Sequence, residues 1–203
     1  MIYVKVLLIG LVFSFLGSVP PGTLNMCVLQ LGLEKKTWAA LRFALAVSII
    51  EYPYSWIGVQ FEYWITSSPQ IIKSFQLITA AVMILMGILN IVTAQKPVAF
   101  VQRFNESGFR RGLVLSILNP MAIPFWIVVT AYLKAQGWIN LSTTGLLHGY
   151  ILGTSIGAML LLTLFTFLAD RLAGYVQHHQ WIKLLPGITL LLLGFYALVK
   201  YLY

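Results

Sequence analysis

Six stretches of this chain run for about twenty residues or more with few charges: 3 to 33, 38 to 60, 71 to 94, 109 to 134, 142 to 168 and 182 to 202. A bilayer core about 30 Å thick takes roughly 20 apolar residues per helical span, and it offers no water to backbone N–H and C=O groups. Of the 203 residues 60% are hydrophobic and 9% charged, against about 45–50% and 25% in soluble domains. The expectation is an all-α integral membrane protein of six transmembrane helices, forming one transmembrane domain over residues 1–203. The opening MIYVKVLLIGLVFSFLGS resembles a signal peptide but is followed by no A-x-A-like cleavage site, so it reads as a retained first span.

The formal net charge of +8 does not point to nucleic acid, because the thirteen Lys and Arg lie between hydrophobic runs and not in a basic, aromatic-laced patch. Six spans put both termini on one side. With the termini outside, Lys35, Lys36, Arg42, Lys96, Arg103, Arg110, Arg111, Arg171 and Lys183 face the cytoplasm, leaving Lys5, Lys73, Lys134 and Lys200 outside. Nine against four predicts N-out and C-out. Trp38, Trp64, Trp138 and Trp181 fall near span ends, as interfacial anchors do. The single cysteine, Cys27, excludes an internal disulfide or a CxxC relay and reads as a small buried hydrophobe.

The two halves echo each other across a polar linker, 96–107. Residues 1–95 open with a long apolar segment broken at Val19, Pro20, Pro21 and Gly22; residues 108–203 open with one broken at Asn119 and Pro120 and again at Pro124. Each is followed by two uninterrupted spans. Three spans per half is odd, so the second copy enters the membrane from the opposite side, an inverted-topology repeat.

Proline inside a helix removes a hydrogen bond and clashes with the preceding turn, at about 3 kcal/mol in water. It fits at the first position of a new helix, so Pro21 and Pro120 are expected to begin half-helices, with Asn119 as the N-cap of the second. Both positive helix ends then meet near the membrane centre, where unpaired N–H groups form an anion site suited to a substrate carboxylate. Gly22 lies in the first turn, and Thr23, Asn25 and Asn119 can add side-chain hydrogen bonds. The alternative is that the prolines only kink helices that their neighbours repair.

Glu51 lies past the middle of span two, where a charge costs about 2.5–3.5 kcal/mol even on a lenient insertion scale. At 100° per residue, Ala40, Ala44, Ser48, Glu51 and Ser55 share an arc of about 80°, the small-residue face that packs inward. There Glu51 can bind a substrate ammonium or carry a coupling proton, or else serve a structural role. Arg42 is on the opposite face. In span five Gly145, Gly149, Gly153 and Gly157 form a small-xxx-small run for close helix packing. His148 near the outer end of that span can titrate; the His178–His179 pair has no acid or cysteine cluster beside it, and no metal site is expected. Gln76 and Asn90 in span three are unranked polar groups.

Two blocks carry a family resemblance. SVPPGTLNMCVLQLGLEKKTWAALRFALAVSIIEYPY and GFRRGLVLSILNPMAIPFWIVV are similar to the paired blocks of the lysine exporter type of translocator family, which includes homoserine, threonine and leucine exporters. PPGTLN stands where that family more often has a PGPNN-like turn, and NPM where it has NPK. The resemblance implies site residues at Pro21, Gly22, Asn25, Asn119 and Pro120. It also implies efflux of an amino-acid-like substrate driven by the proton motive force, in the bacterial cytoplasmic membrane. No cofactor is implied, and a homo-oligomer is compatible with the chain but not required by it.

Other classes fit less well. A metal-ion exporter of the same superfamily wants several intramembrane Asp, Glu, His or Cys ligands, and only Glu51 and peripheral His148 are at hand. An enzyme lacks a nucleophile, base and acid within the spans, so no catalytic residue is assigned. A non-transporting scaffold is compatible with the glycine stripe.

Overall fold

The computed structural model describes residues 2–19, 22–66, 107–119, 122–171 and 184–202, together with 77, 80–81, 83–85, 87–88 and 91–92. Helices, and no strand, occur among the described residues: α1 (Ile2–Gly17), α2 (Thr23–Leu33), α3 (Thr37–Thr66), α4 (Gly108–Ile117), α5 (Ala122–Ala135), α6 (Thr144–Phe167) and α7 (Leu185–Leu202). By length and composition α6 can cross a membrane alone, and α4 and α5, bent by 66° at their junction, pass the same test as one broken span. The first and fourth apolar stretches are therefore each two helices, whereas the second extends without interruption to Thr66 despite Pro53 in its interior. Ser107 caps α4 by accepting from the Arg110 N–H, and Thr143 caps α6 by accepting from that of Leu146, both at 3.4 Å.

Glycine sets how the helices meet. Along α6, Gly145 faces Tyr3, Gly149 faces Val6, Gly153 faces Leu7, and Gly157 faces Leu11 and Ser14, so α1 runs parallel to α6 with backbone against backbone. Gly32 at the end of α2 rests on Thr166 and Ala169, so the broken pair α1–α2 follows α6 from its first turn to its last. The pair α4–α5 follows α3 in the same way. Gly108 lies on Ala39 and Gly112 on Phe43; Trp126 meets Gly58, and Lys134 pairs with Glu62. Gly87 and Gly187 approach each other where α7 runs antiparallel to the helical residues Ala80, Ile84, Gly87 and Ile91. Each broken pair thus lies along a long helix from the other end of the chain, α1–α2 on α6 and α4–α5 on α3.

Two apolar clusters hold α3. Ala40, Phe43, Ala44 and Val47 join Cys27, Val28, Leu31 and Leu162 at one end; Val59 joins Val6, Trp126, Leu133, Tyr150 and Ile151 at the other. Between them along α3 lie Ser48, Glu51 and Ser55. Ser48 Oγ donates to the Ser155 carbonyl at 2.9 Å and Ser55 Oγ meets Thr154 Oγ1 at 2.8 Å, so the contact of α3 with α6 has a polar middle. Where water is excluded such hydroxyls need protein partners, and those of Ser48, Ser55 and Thr154 have them, whereas the buried Ser155 Oγ has none among the described residues.

Candidate functional site

At the first break α1 ends in a tightened turn. The Ser18 N–H bonds the Ser14 carbonyl at 3.0 Å and Val19 that of Leu16 at 3.2 Å. Gly22 occupies the cap position of α2 in extended conformation without a side-chain cap, and a Cβ built on it would meet nothing within 4 Å, so the space beside it is open. The buried Asn25 reaches back across the break, its Nδ2 donating to the Ser18 carbonyl at 2.6 Å.

The second break is built similarly. Leu118 N–H bonds the Val114 carbonyl and Asn119 N–H that of Ser116, each at 3.0 Å. The Tyr54 hydroxyl, from α3, donates to the Ile117 carbonyl at 2.7 Å and so satisfies an acceptor that the end of α4 leaves open.

Helices that flank the two breaks touch. Gly17, the last residue of α1, lies against the ring of Phe125 in the first turn of α5; a Cβ there would come within 3.1 Å of the ring's Cε1. Next to Phe125, fully buried Trp126 donates its indole N–H to Glu51 Oε1 at 2.5 Å. Trp126 stands edge-on to Phe125 and to Tyr150, with centroids 5.0 and 6.1 Å apart. One turn along α3, Ser55 Oγ donates to the Glu51 carbonyl at 2.8 Å. On the neighbouring face Tyr52 Oη is 2.6 Å from His148 Nδ1. A half-buried carboxylate, two interrupted helices and an aromatic wall therefore share one place.

A family model, the LysE type translocator, matches residues 15–201, which includes both breaks and all seven helices in part or whole. The chain belongs to the LysE type translocator family. It is accordingly a membrane protein that moves small molecules. No match was found among curated proteins or among solved structures.

In this LysE type translocator the residues singled out from sequence are distributed as follows. Glu51 is at the junction with Trp126, Asn25 spans the first break, and half-buried Asn119 ends the turn after α4. Thr23 begins α2 and is exposed. Pro21 and Pro120 lie outside the described residues, as do Gln76, Asn90, His178 and His179. One expectation shifts: α2 starts at Thr23, with Gly22 in the cap position, and not at Pro21, while the expected start of the second half-helix at Pro120 falls outside the described residues.

Sequence reasoning missed Trp126, Tyr54 and the Glu62–Lys134 ion pair, and it placed the buried Arg111 in a loop. Trp126 carried a usable signal: unlike the four tryptophans at span ends it sits mid-span, where its N–H needs an acceptor, and Glu51 is the mid-span acceptor. Tyr54 carried none, because a hydroxyl that caps a distant carbonyl is invisible without the fold.

Proposed function

We propose that this translocator exports amino acids or related small zwitterionic metabolites across the bacterial cytoplasmic membrane, coupled to the proton motive force. The observation that carries the reading is the meeting of the two breaks, Gly17 on Phe125, with Glu51 held by Trp126 at the same point. Helix starts present unpaired N–H groups and partial positive charge, which suit a carboxylate. Glu51 supplies the opposite charge for an ammonium group or a seat for the coupling proton. Pro21, Gly22, Thr23, Asn25, Asn119 and Pro120 line the breaks in this reading. The open space beside Gly22 is where backbone and substrate can approach closely.

The same reading takes the halves as inverted repeats, 1–95 and 108–203, with both termini outside. The exchange-invariant pairing of helices supports it: parallel α1 and α6 fall in the first and fifth expected spans, parallel α3 and α4–α5 in the second and fourth, and the helical residues Ala80, Ile84, Gly87 and Ile91, antiparallel to α7, in the third against the sixth. Those are the relative directions that six successive crossings produce. Transport then consists of one broken unit rocking against its glycine-lined partner around a fixed central site.

The test is counterflow in proteoliposomes against a panel of amino acids, with and without a pH gradient. Saturable, gradient-dependent exchange of a zwitterion is expected. Absence of exchange for the whole panel, with protein correctly inserted, would sink the reading.

A further inference from the structure

We infer that the guanidinium of Arg111 is a carboxylate-binding subsite between α2, α3 and α4, separate from the junction of the breaks. Arg111 is in the first turn of α4 and only 5% exposed. Its Nη2 donates to Cys27 Sγ at 3.2 Å and to Gln30 Oε1 at 3.3 Å, and its buried Nε–H has no acceptor among the described residues. A guanidinium has five donors and cannot shed its proton inside a protein. Here two of its bonds go to neutral groups, one of them a weak sulfur acceptor, and no carboxylate lies within ion-pair distance among the described residues. Glu34, on the far side of Gln30, is engaged elsewhere. Its Oε2 accepts from Lys36 Nζ at 2.8 Å, and its Oε1 accepts from the Gln30 amide at 2.9 Å, so Gln30 stands between the two charges.

The cation cannot withdraw to water either. Gly108 and Gly112, flanking it on α4, lie directly on the backbone of Ala39 and Phe43, which fixes the roll of the helix. A permanently charged, desolvated fork with an unspent Nε–H matches a planar carboxylate, which it can grip through two parallel bonds. From Arg111 to the end of α4 at Ile117 is roughly 9 Å at 1.5 Å per residue. A carboxylate held here is thus a separate station, one to two helical turns from the breaks on the side of the α2–α3 turn. That the carboxylate belongs to the transported zwitterion rests on the export reading; the anion site itself rests on the geometry alone.

Cys27 makes the test direct, because it is the only cysteine of the chain and its sulfur touches the guanidinium. The full chain in phosphatidylcholine vesicles is alkylated with N-ethylmaleimide in acetate or in acetamide, at matched ionic strength. Acetate is expected to slow alkylation saturably, about tenfold at ten times its dissociation constant by the one-site relation, and acetamide to leave the rate unchanged. In Arg111→Gln the acetate effect disappears. In detergent, the unfolding midpoint of the unmodified chain should rise with acetate and not with acetamide; this decides the matter if Cys27 does not react or the variant does not fold. Equal behaviour of acetate and acetamide, or protection that survives in a monodisperse Arg111→Gln, makes Arg111 a tether of α4 to α2 and overturns the subsite. Failed amino-acid counterflow with acetate protection intact counts against export and not against the anion site.

Discussion

Trp126 Nε1 donates to Glu51 Oε1 across 2.5 Å, so a mid-helix acid and a fully buried indole satisfy each other. The bond joins α3 to the first turn of α5, the helix that restarts after the second break. It explains how an acid can stand in the middle of an apolar helix, and why that helix lies alongside the broken one. A hydrogen bond to a charged group contributes about 1.5–3 kcal/mol, and more is at stake if either partner is left alone.

Glu51→Gln keeps the acceptor for the indole and removes the charge. The fold should survive, with an unchanged far-UV spectrum and monodisperse elution. Coupling to a pH gradient should vanish, and apparent affinity for a zwitterion should fall about ten- to a hundredfold, the equivalent of one charged hydrogen bond. Wild-type efflux and uptake in proteoliposomes would remove Glu51 from the mechanism.

Gly17→Ala tests the meeting of the breaks. The new methyl would press into the Phe125 ring, and overpacking of this kind costs about 1–3 kcal/mol. The thermal midpoint should drop, and the second change Phe125→Leu should restore part of it. Additive losses in the double variant would show that the two residues do not share a contact.

Glu62 and Lys134 tie the far end of α3 to α5, the glutamate side chain 4% exposed and the lysine 29%. Glu62→Gln alone leaves a lysine near a dry surface and should cost about 2 kcal/mol, between the surface-pair and buried-pair ranges because Lys134 retains some water. Glu62→Gln with Lys134→Met should cost less than Glu62→Gln by itself. Chemical unfolding of both variants against the parent decides it.

Glu34 gives a pH prediction outside the spans. Its carboxyl is held below the usual carboxylate value by the bond from Lys36 first and from Gln30 second. A depressed carboxyl contributes stability above its unfolded value, and that contribution is lost as pH falls through the folded one. The parent should therefore be slightly more stable than Glu34→Gln near neutrality, with the difference closing on acidification below pH about 4. Because the site is open to solvent the gap is small, and a gap that widens in acid would contradict the assignment.

Much of the fold was legible in the chain because a bilayer imposes a length and a polarity on each span, and few sequences meet both by accident. The two prolyl breaks were legible because proline cannot donate a backbone hydrogen bond, whatever surrounds it. The inward face of α3 was legible because helical periodicity is local: Ala40, Ala44, Ser48 and Ser55 are all buried. The start of α2 was displaced by two residues, since Gly22 is extended and takes the cap position, a choice of backbone that propensities do not specify.

Partnership was another matter. That Asn25 bonds Ser18, that Tyr54 caps Ile117 and that Trp126 answers Glu51 depends on which helices lie side by side, and in Tyr54 and Trp126 the partners are 63 and 75 residues apart. Arg111 shows the limit most clearly. By composition it is one more cation near a span end, and only the seating of Gly108 and Gly112 on α3 turns it inward against Cys27. Chain-local rules of length, periodicity and backbone chemistry determined the elements and their interruptions; contacts between distant segments, which follow from shape and burial, decided which polar groups share a site.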